Sequence, residues 1–476
     1  MTNALDDWCA MYQNEPVWLS DQVKSLNLPA FISSEIARQI VLELKWNITG
    51  KSDGSSEEVM NPRAEYLKAE CEKLFVILRQ KLELGCAAGG LLIKPYPNPA
   101  DGHIYFDWAP DWGFYPLAFD GDGNLSDVAI PDVFQEGDTI YTRLERHTAK
   151  EDGVHITQKA FKSTNRDSIG REIPLTDVPR WAALAPEATV TNAGGQLFGW
   201  FRVAAANNVD VNSPMGASVY AKAVDVIREA DTQYSRLLWE YEASEMAIDV
   251  DPMVLRPRKV GGNTIMETPK LNERLFRGVD LGEDDTYHVF APAIRDAALV
   301  NGLNQLFIRI EDLCGLSRGT ISDANQEART ATELRIVKQR SYATIHDNQV
   351  ALEHCLKAVI RAMDVYATAY NLAPPGDYDV SFDWDDSIVT DTDQQLNERL
   401  MLLNAGILSK AEFREWFFGE TPSQAQQAVA AVAQENMASM EQILPTLQKT
   451  PDWGAEGVTE GDVQQTEPAQ NEPRQE

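Results

Sequence analysis

The chain has 476 residues, more than one hydrophobic core usually supports, so two or more packed lobes are expected. At 43% hydrophobic and 24% charged it falls in the globular range. Its 42 basic and 73 acidic residues leave a net charge of −31, which argues against a protein that grips nucleic acid through a basic surface.

Five scattered cysteines (Cys9, Cys71, Cys86, Cys314, Cys355), with no C-x-x-C pair, point to a reducing compartment rather than a disulfide framework. Residues 1–14 carry Asp6 and Asp7 and no basic apolar leader, so no secretory signal is expected. No apolar run approaches the roughly 20 residues that span a bilayer. These features predict a soluble protein made inside a cell, with no membrane partner.

In chain order, the first 60 residues read as short helices. Ile36, Ile40, Val41 and Leu44 give helical spacing across Ser33–Lys45, and a polar stretch follows from Gly50 to Glu58. Asn61-Pro62 is a cap followed by proline, opening a helix that reads as far as Leu84 and stops at Gly85. From Gly89 to Pro186 the texture is strand and turn: Leu91–Ile93, Ile104–Trp108, a turn at Gly121–Asn124, and alternation from Thr139 to Glu145. Ser213-Pro214 predicts the start of a helix running to Ala247, 34 residues or roughly 50 Å.

Residues 248–293 break the pattern with repeated Pro and Gly, six basic and eight acidic residues, and read as a small strand-and-turn module. A second helix, Arg295–Cys314, carries Leu299, Leu303, Leu306, Ile310 and Leu313 in register and stops at Gly315. Two helices thus bracket one module, an out-and-back geometry. A Gly-Ser-Asp loop to Arg329 precedes a long helix from Thr330 to Tyr370, periodic in Leu352, Leu356, Val359, Met363 and Tyr366. Tyr378, Val380, Phe382 and Trp384 then alternate with polar residues as a half-buried strand. Helices return from Asp393 to Leu447, and the tail rich in Gln, Glu and Pro predicts disorder.

Enzyme chemistry leaves little trace. Gly50-Lys51-Ser52 lacks the earlier glycine of a phosphate loop, because Lys45 stands there. Asp120, Asp122 and Asn124 start like a calcium loop, but Leu125 replaces its glycine, so a tight turn is expected. Six histidines show no ligand spacing. Asp383 and Asp385 share a strand face and are weak candidates for a divalent cation, against a solvated face. Asp107 and Asp111, beside Trp108 and Trp112, are a faint candidate for a hydrolase carboxylate pair. No catalytic residue, cofactor site or firm metal site is predicted.

Several segments, in order over residues 30–420, carry a resemblance. They are Gly89–Tyr96, Phe114–Asp120, Tyr141–His147, Phe198–Arg202, Asn207–Asp210, Ser213–Val219, Gly315–Thr320, Thr330–Glu333 and Ala405–Lys410. Together the chain resembles the portal proteins of tailed bacteriophages, of the long-tailed type. The resemblance implies an α+β portal fold: an N-terminal wing with a sheet (1–212), a first stem helix (213–247), a small α/β clip (248–293) and a second stem helix (294–315). It continues with a tunnel loop (316–329), a long helix and wing strand (330–392), a helical crown (393–447) and a disordered acidic tail (448–476).

The implied role is a non-enzymatic homo-oligomeric ring of about twelve copies at one capsid vertex. Double-stranded DNA would pass through it without sequence specificity in packaging and ejection. Implied partners are the terminase large subunit, a head-completion adaptor, and the major capsid and scaffolding proteins. The implied location is the virion, with host cytoplasm during assembly. About twelve copies at −31 each would sum to roughly −370, screened beyond about 10 Å, and would let DNA slide if those charges line the bore.

DNA-facing tunnel-loop candidates are Arg318, Thr320, Ser322, Asp323, Asn325 and Arg329, with Arg318 and Arg329 making either transient phosphate contacts or subunit-interface salt bridges. Candidates for docking partners at the clip are Arg256, Arg258, Lys259, Lys270, Arg274 and Arg277. Alternatives are another ring-forming phage connector or adaptor, or a cytoplasmic hydrolase using Asp107 and Asp111.

Overall fold

The computed structural model describes residues 1–42, 44–52, 55–58, 61–166, 168–250, 256–260, 262–267, 276–278, 287–323, 331–384, 392–418 and 424–432. For residues 52, 55–58, 250, 256–260, 264–267, 276–278, 331–340, 392–395 and 397 it describes the backbone only. Two compact units divide the chain, Met1–Val389 and Thr390–Glu476.

Unit one opens with helices α1 (Thr2–Tyr12) and α2 (Leu28–Val41), then strands β1 (Leu44–Ser52) and β2 (Ser55–Glu58). An all-helical start is therefore corrected. Leu44, Trp46 and Ile48 alternate with Lys45, Asn47 and Thr49, which is strand periodicity. The partner is far away in sequence: β17 (Tyr378–Trp384) pairs antiparallel with β1, Ile48 opposite Val380 and Trp46 opposite Phe382.

Helix α3 (Pro62–Ala88) begins as its sequence predicts, with the Asn61 side chain accepting the Ala64 amide at 2.8 Å. It runs through Gly85 and ends at Gly89 in the left-handed region, one turn later than expected. Leu67, Leu74, Leu78 and Leu82 bury one face of α3. They share a core with Ile32, Ile36 and Ile40 of α2, and with Leu352, Leu356, Val359 and Met363 of helix α6 (Ala331–Ala369). Each fully buried leucine or isoleucine contributes about 1.5–3 kcal/mol. Past the end of α6, Asn371 turns left-handed at φ 50°, and the buried Arg63 guanidinium donates to the carbonyls of Ala373 and Pro374.

The sheet region has two parts. Strands β3 (Gly90–Asn98), β4 (His103–Pro110) and β11 (Gly199–Arg202) form a sheet in the order β11-β3-β4. Strands β5 (Tyr115–Phe119), β6 (Leu125–Glu136), β7 (Thr139–Lys150), β8 (Gly153–Ser163) and β10 (Glu187–Val190) form an antiparallel meander, with β9 (Arg171–Ile173) on β8. The expected tight turn joins β5 to β6, Asp120 accepting the amides of Asp122 and Asn124. A buried ion cluster ties the two sheets. Lys94 of β3 gives Nζ to both Glu145 oxygens at 2.9 Å, and Arg143 and His147 of β7 meet the same carboxylate at 3.0 and 2.7 Å.

Helix α4 (Val224–Ala243) is 20 residues long, about 30 Å. The expectation of a helix from Pro214 is corrected: residues 214–220 are turn and coil, and a short 3-10 turn at Ala221–Ala223 leads in. The cause is tertiary. This segment crosses the end of α3 so closely that a Cβ at Gly216 would lie 1.9 Å from the Gly89 carbonyl oxygen, and Val219 donates to the Cys86 carbonyl at 3.0 Å. A helical 214–220 would lose that docking.

After α4 come β12 (Ala247–Val250), β13 (Arg256–Val260), β14 (Asn263–Glu267), β15 (Phe276–Gly278) and β16 (Tyr287–Phe290), followed by α5 (Asp296–Cys314). Strand β12 pairs parallel with β15 and antiparallel with β16, and β13 with β14 make a separate hairpin. Within unit two, the described helices include α7 (Thr392–Asn404) and α8 (Lys410–Phe418), where Arg399 lies 4.5 Å over the Trp416 ring. The chain thus mixes helix and sheet in α+β fashion. The predicted tail, 448–476, lies outside the described residues.

Candidate functional site

Helices α4 and α5 run antiparallel. Near one end Glu240 meets Arg295, and further along Gln233 reaches the Leu299 carbonyl at 3.5 Å. Glu240 accepts from the Arg295 backbone amide at 3.2 Å and from its guanidinium at 3.1 and 2.7 Å, which holds the Glu240 carboxyl below its ordinary range. That pair fixes where the chain leaves and re-enters the β12–β16 module. Nine residues before Glu240, Asp231 of α4 accepts the Trp18 indole at 2.9 Å and the Leu26 amide at 2.8 Å, so the segment between α1 and α2 braces the pair from the side of α4. Burial pushes the Asp231 carboxyl up.

Helix α5 stops where its sequence says. Gly315 adopts φ 71°, and a Cβ there would lie 2.4 Å from Thr344 Oγ1 of α6, so both backbone conformation and space demand glycine. The loop that follows is held by two side chains of α5, Glu311 and Asn304. Glu311, fully buried, accepts the amides of Gly319 (3.2 Å), Ile321 (2.6 Å) and Ser322 (2.9 Å), and the Ser322 hydroxyl at 2.8 Å. Asn304 accepts the Asp323 amide at 2.9 Å. The loop's first half is therefore wrapped around a carboxylate delivered by α5.

The predicted loop residues divide accordingly. Ser322 is buried and spent on Glu311, and the Thr320 hydroxyl donates to the Ser317 carbonyl at 2.6 Å. Asp323 is exposed at the loop's described end. Arg318 reaches Asp312 of its own chain at 3.2 and 2.9 Å, so a phosphate contact would compete with that pair. Asn325 and Arg329 lie outside the described residues.

Of the clip candidates, Arg256 stands opposite Glu267 and Arg258 opposite Ile265 in the β13–β14 register, with Lys259 opposite Thr264. Arg277 stands opposite Asp249 in the β12–β15 ladder. Lys270 and Arg274 lie outside the described residues.

Of the four candidate carboxylates, Asp107, Asp111 and Asp383 lie among the described residues. Asp383 is exposed on β17 opposite Lys45, and Asp385 lies outside the described residues. Asp107 pairs with Lys94 at 3.1 Å. Asp111 is buried, accepts the Trp200 indole at 3.1 Å, and has its carboxyl pushed up to about 7 by burial. The two acids serve separate packing contacts, which removes the observation behind a hydrolase reading. A cleft of about 350 Å³ beside Gly315 brings Asp312 and Asp347 to its lining. No group of three His, Cys, Asp or Glu residues suited to a metal converges among the described residues.

Sequence reasoning passed over Glu311, Asn304 and Glu240. The signal for Glu311 was present: a carboxylate adjoining the apolar stripe at Ile310, four residues before the stop glycine. Among the described residues no helix is long and apolar enough to cross a membrane.

A comparison with curated proteins finds no match. Residues 72–440 match the family model described as "Phage portal protein, SPP1 Gp6-like". That span takes in the two sheets built from β3 to β11, the α4–α5 pair with its β module, the Glu311-held loop, α6, and helices α7 and α8. The chain belongs to the phage portal protein family and is a component of a phage capsid.

Proposed function

We propose that the chain assembles into a ring of about twelve copies at one capsid vertex, the passage for DNA during packaging and ejection. The observation that carries this is the α4–α5 pair. Two antiparallel helices leave the buried body, bracket a small β module, and return to a loop held against the body by Glu311. In this reading the pair is the stem, the β12–β16 module is the clip that docks the terminase large subunit and later a head-completion adaptor, and residues 316–329 are the tunnel loop. Residues 1–212, with α6 and β17, make the wing. Helices from 393 make the crown, which meets the capsid interior together with the major capsid and scaffolding proteins. The portal is a passive conduit, and ATP hydrolysis belongs to the separate terminase.

The mass of the purified protein in solution tests this. Twelve chains of 53.0 kDa predict a particle of about 640 kDa. A chain that stays at the mass of one or two copies over all concentrations and ionic strengths contradicts the ring.

A further inference from the structure

The outward face of α5 is free of carboxylates over most of its length. Between Asp296 and Glu311 the helix has no acidic residue, although 73 of 476 residues in the chain are acidic. Ala298, Asn301, Gln305 and Arg309 recur at steps of three and four and are all exposed, so they form one face opposite the buried Leu303 and Ile310. Arg309 makes no ion pair among the described residues. The next residue on that face, Asp312, is neutralised by Arg318 at 2.9 Å. The remaining carboxylate of this stretch, Glu311, is buried and spent on the loop.

Helix α4 differs. Its exposed surface carries Asp225, Glu229 and Glu242 beside Arg228 and Arg236, and it exposes Trp239 (63%) and Tyr241 (46%), where α5 exposes only Val300 among its large apolar groups. Apolar area of that kind is covered by protein. Amides and methyls with a single cation suit a surface past which a polyanion moves. They offer hydrogen bonds of no fixed register and none of the repulsion that carboxylates would add against one phosphate charge per about 1.7 Å of duplex.

We infer that the Ala298–Asn301–Gln305–Arg309 face of α5 is the surface presented to the phosphate backbone of duplex DNA, while α4 turns Trp239 to the neighbouring copy. This rests on the ring reading and departs from a bore lubricated by acidic charge. The DNA-facing wall is uncharged apart from one ring of arginines, and the acidity lies elsewhere.

The test uses procapsids carrying the full-length ring, with rings counted by electron microscopy and packaged DNA measured per ring-bearing head. Arg309→Glu should leave the ring count unchanged and lower packaged DNA by about threefold or more, partly recovering as salt shortens the screening length. Gln305→Glu should do the same more weakly. Lys150→Glu, an equal charge reversal at the β7–β8 turn, should package as the unmodified chain does. Normal packaging by Arg309→Glu with rings intact overturns the assignment. Loss of rings in Arg309→Glu overturns it too, since the face would then be packed against protein. Failure of the unmodified chain to form rings instead refutes the ring reading on which the assignment stands.

Discussion

Two buried glutamates solve one problem in opposite ways. Glu145, between the two sheets, is surrounded by side-chain partners: Lys94, Arg143 and His147. Glu311, below the loop, is surrounded by backbone amides and one hydroxyl. Side-chain cations must themselves be desolvated, so the Glu145 cluster holds only while every member stays, and it fixes the relative placement of β3 and β7. Amides are already part of the chain, so Glu311 fixes the path of a loop whatever lies beyond it. The first device makes a rigid body. The second makes a rigid root for a segment that continues outside the described residues.

The largest expected effect comes from breaking the first device. Glu145→Ala leaves Lys94 buried without its main partner and should cost about 3–5 kcal/mol, read as a lower midpoint in chemical or thermal unfolding. A loss under about 1 kcal/mol would mean the cluster is solvated and not a lock between sheets. Burial opposes the Glu145 charge, but Lys94, His147 and Arg143 outweigh it and hold the carboxyl well below its ordinary range. Its contribution is thus complete above the ordinary glutamate range and is lost as pH falls through the lowered value.

Breaking the second device should act locally. Glu311→Ala should cost about 1–3 kcal/mol. Its distinguishing sign is faster hydrogen exchange at the Gly319, Ile321 and Ser322 amides, with exchange in α3 and β7 unchanged. Uniformly faster exchange throughout the chain would show that Glu311 supports the whole fold and not one loop.

Asp111 is a third buried acid, and it has neither device. Its Oδ2 atom has no hydrogen-bond partner, only Trp200 donates to the other oxygen, and burial lifts the carboxyl to about 7. Because the folded value is raised, folding takes up a proton between the ordinary aspartate range and about 7, and stability declines as pH rises through that window. Asp111→Asn should therefore stabilise the protein more at pH 8 than at pH 5. Equal effects at both would place the carboxyl in contact with solvent. The smallest effect belongs to Arg318→Ala, which removes an exposed pair with Asp312 worth at most about 1 kcal/mol. Rings should remain while packaged DNA or its retention falls. A normal yield of filled heads would end any role for Arg318 in the passage.

Local rules carried most of the helix reading. The α5 stripe and its stop at Gly315, the Asn61 cap of α3, and the alternation of β17 are written in spacing and cap chemistry, and the fold follows them. The misses have tertiary causes. Ser213-Pro214 has the chemistry of a helix start, yet the contact of Gly216 with Gly89 holds that segment out of helix. Strand β1 went unread because its partner begins 326 residues after Ser52, at Tyr378, beyond any local window. At the site, the loop's polar side chains were legible as a group, but the residue that organises them sits on the preceding helix. Its role appears only once the loop folds back over α5.

End-on electron micrographs of the purified protein, with rotational analysis, address the central claim most directly. Rings of about twelve-fold symmetry with an open centre are the predicted result. Compact particles without a hole, at every concentration and salt condition, would contradict the channel.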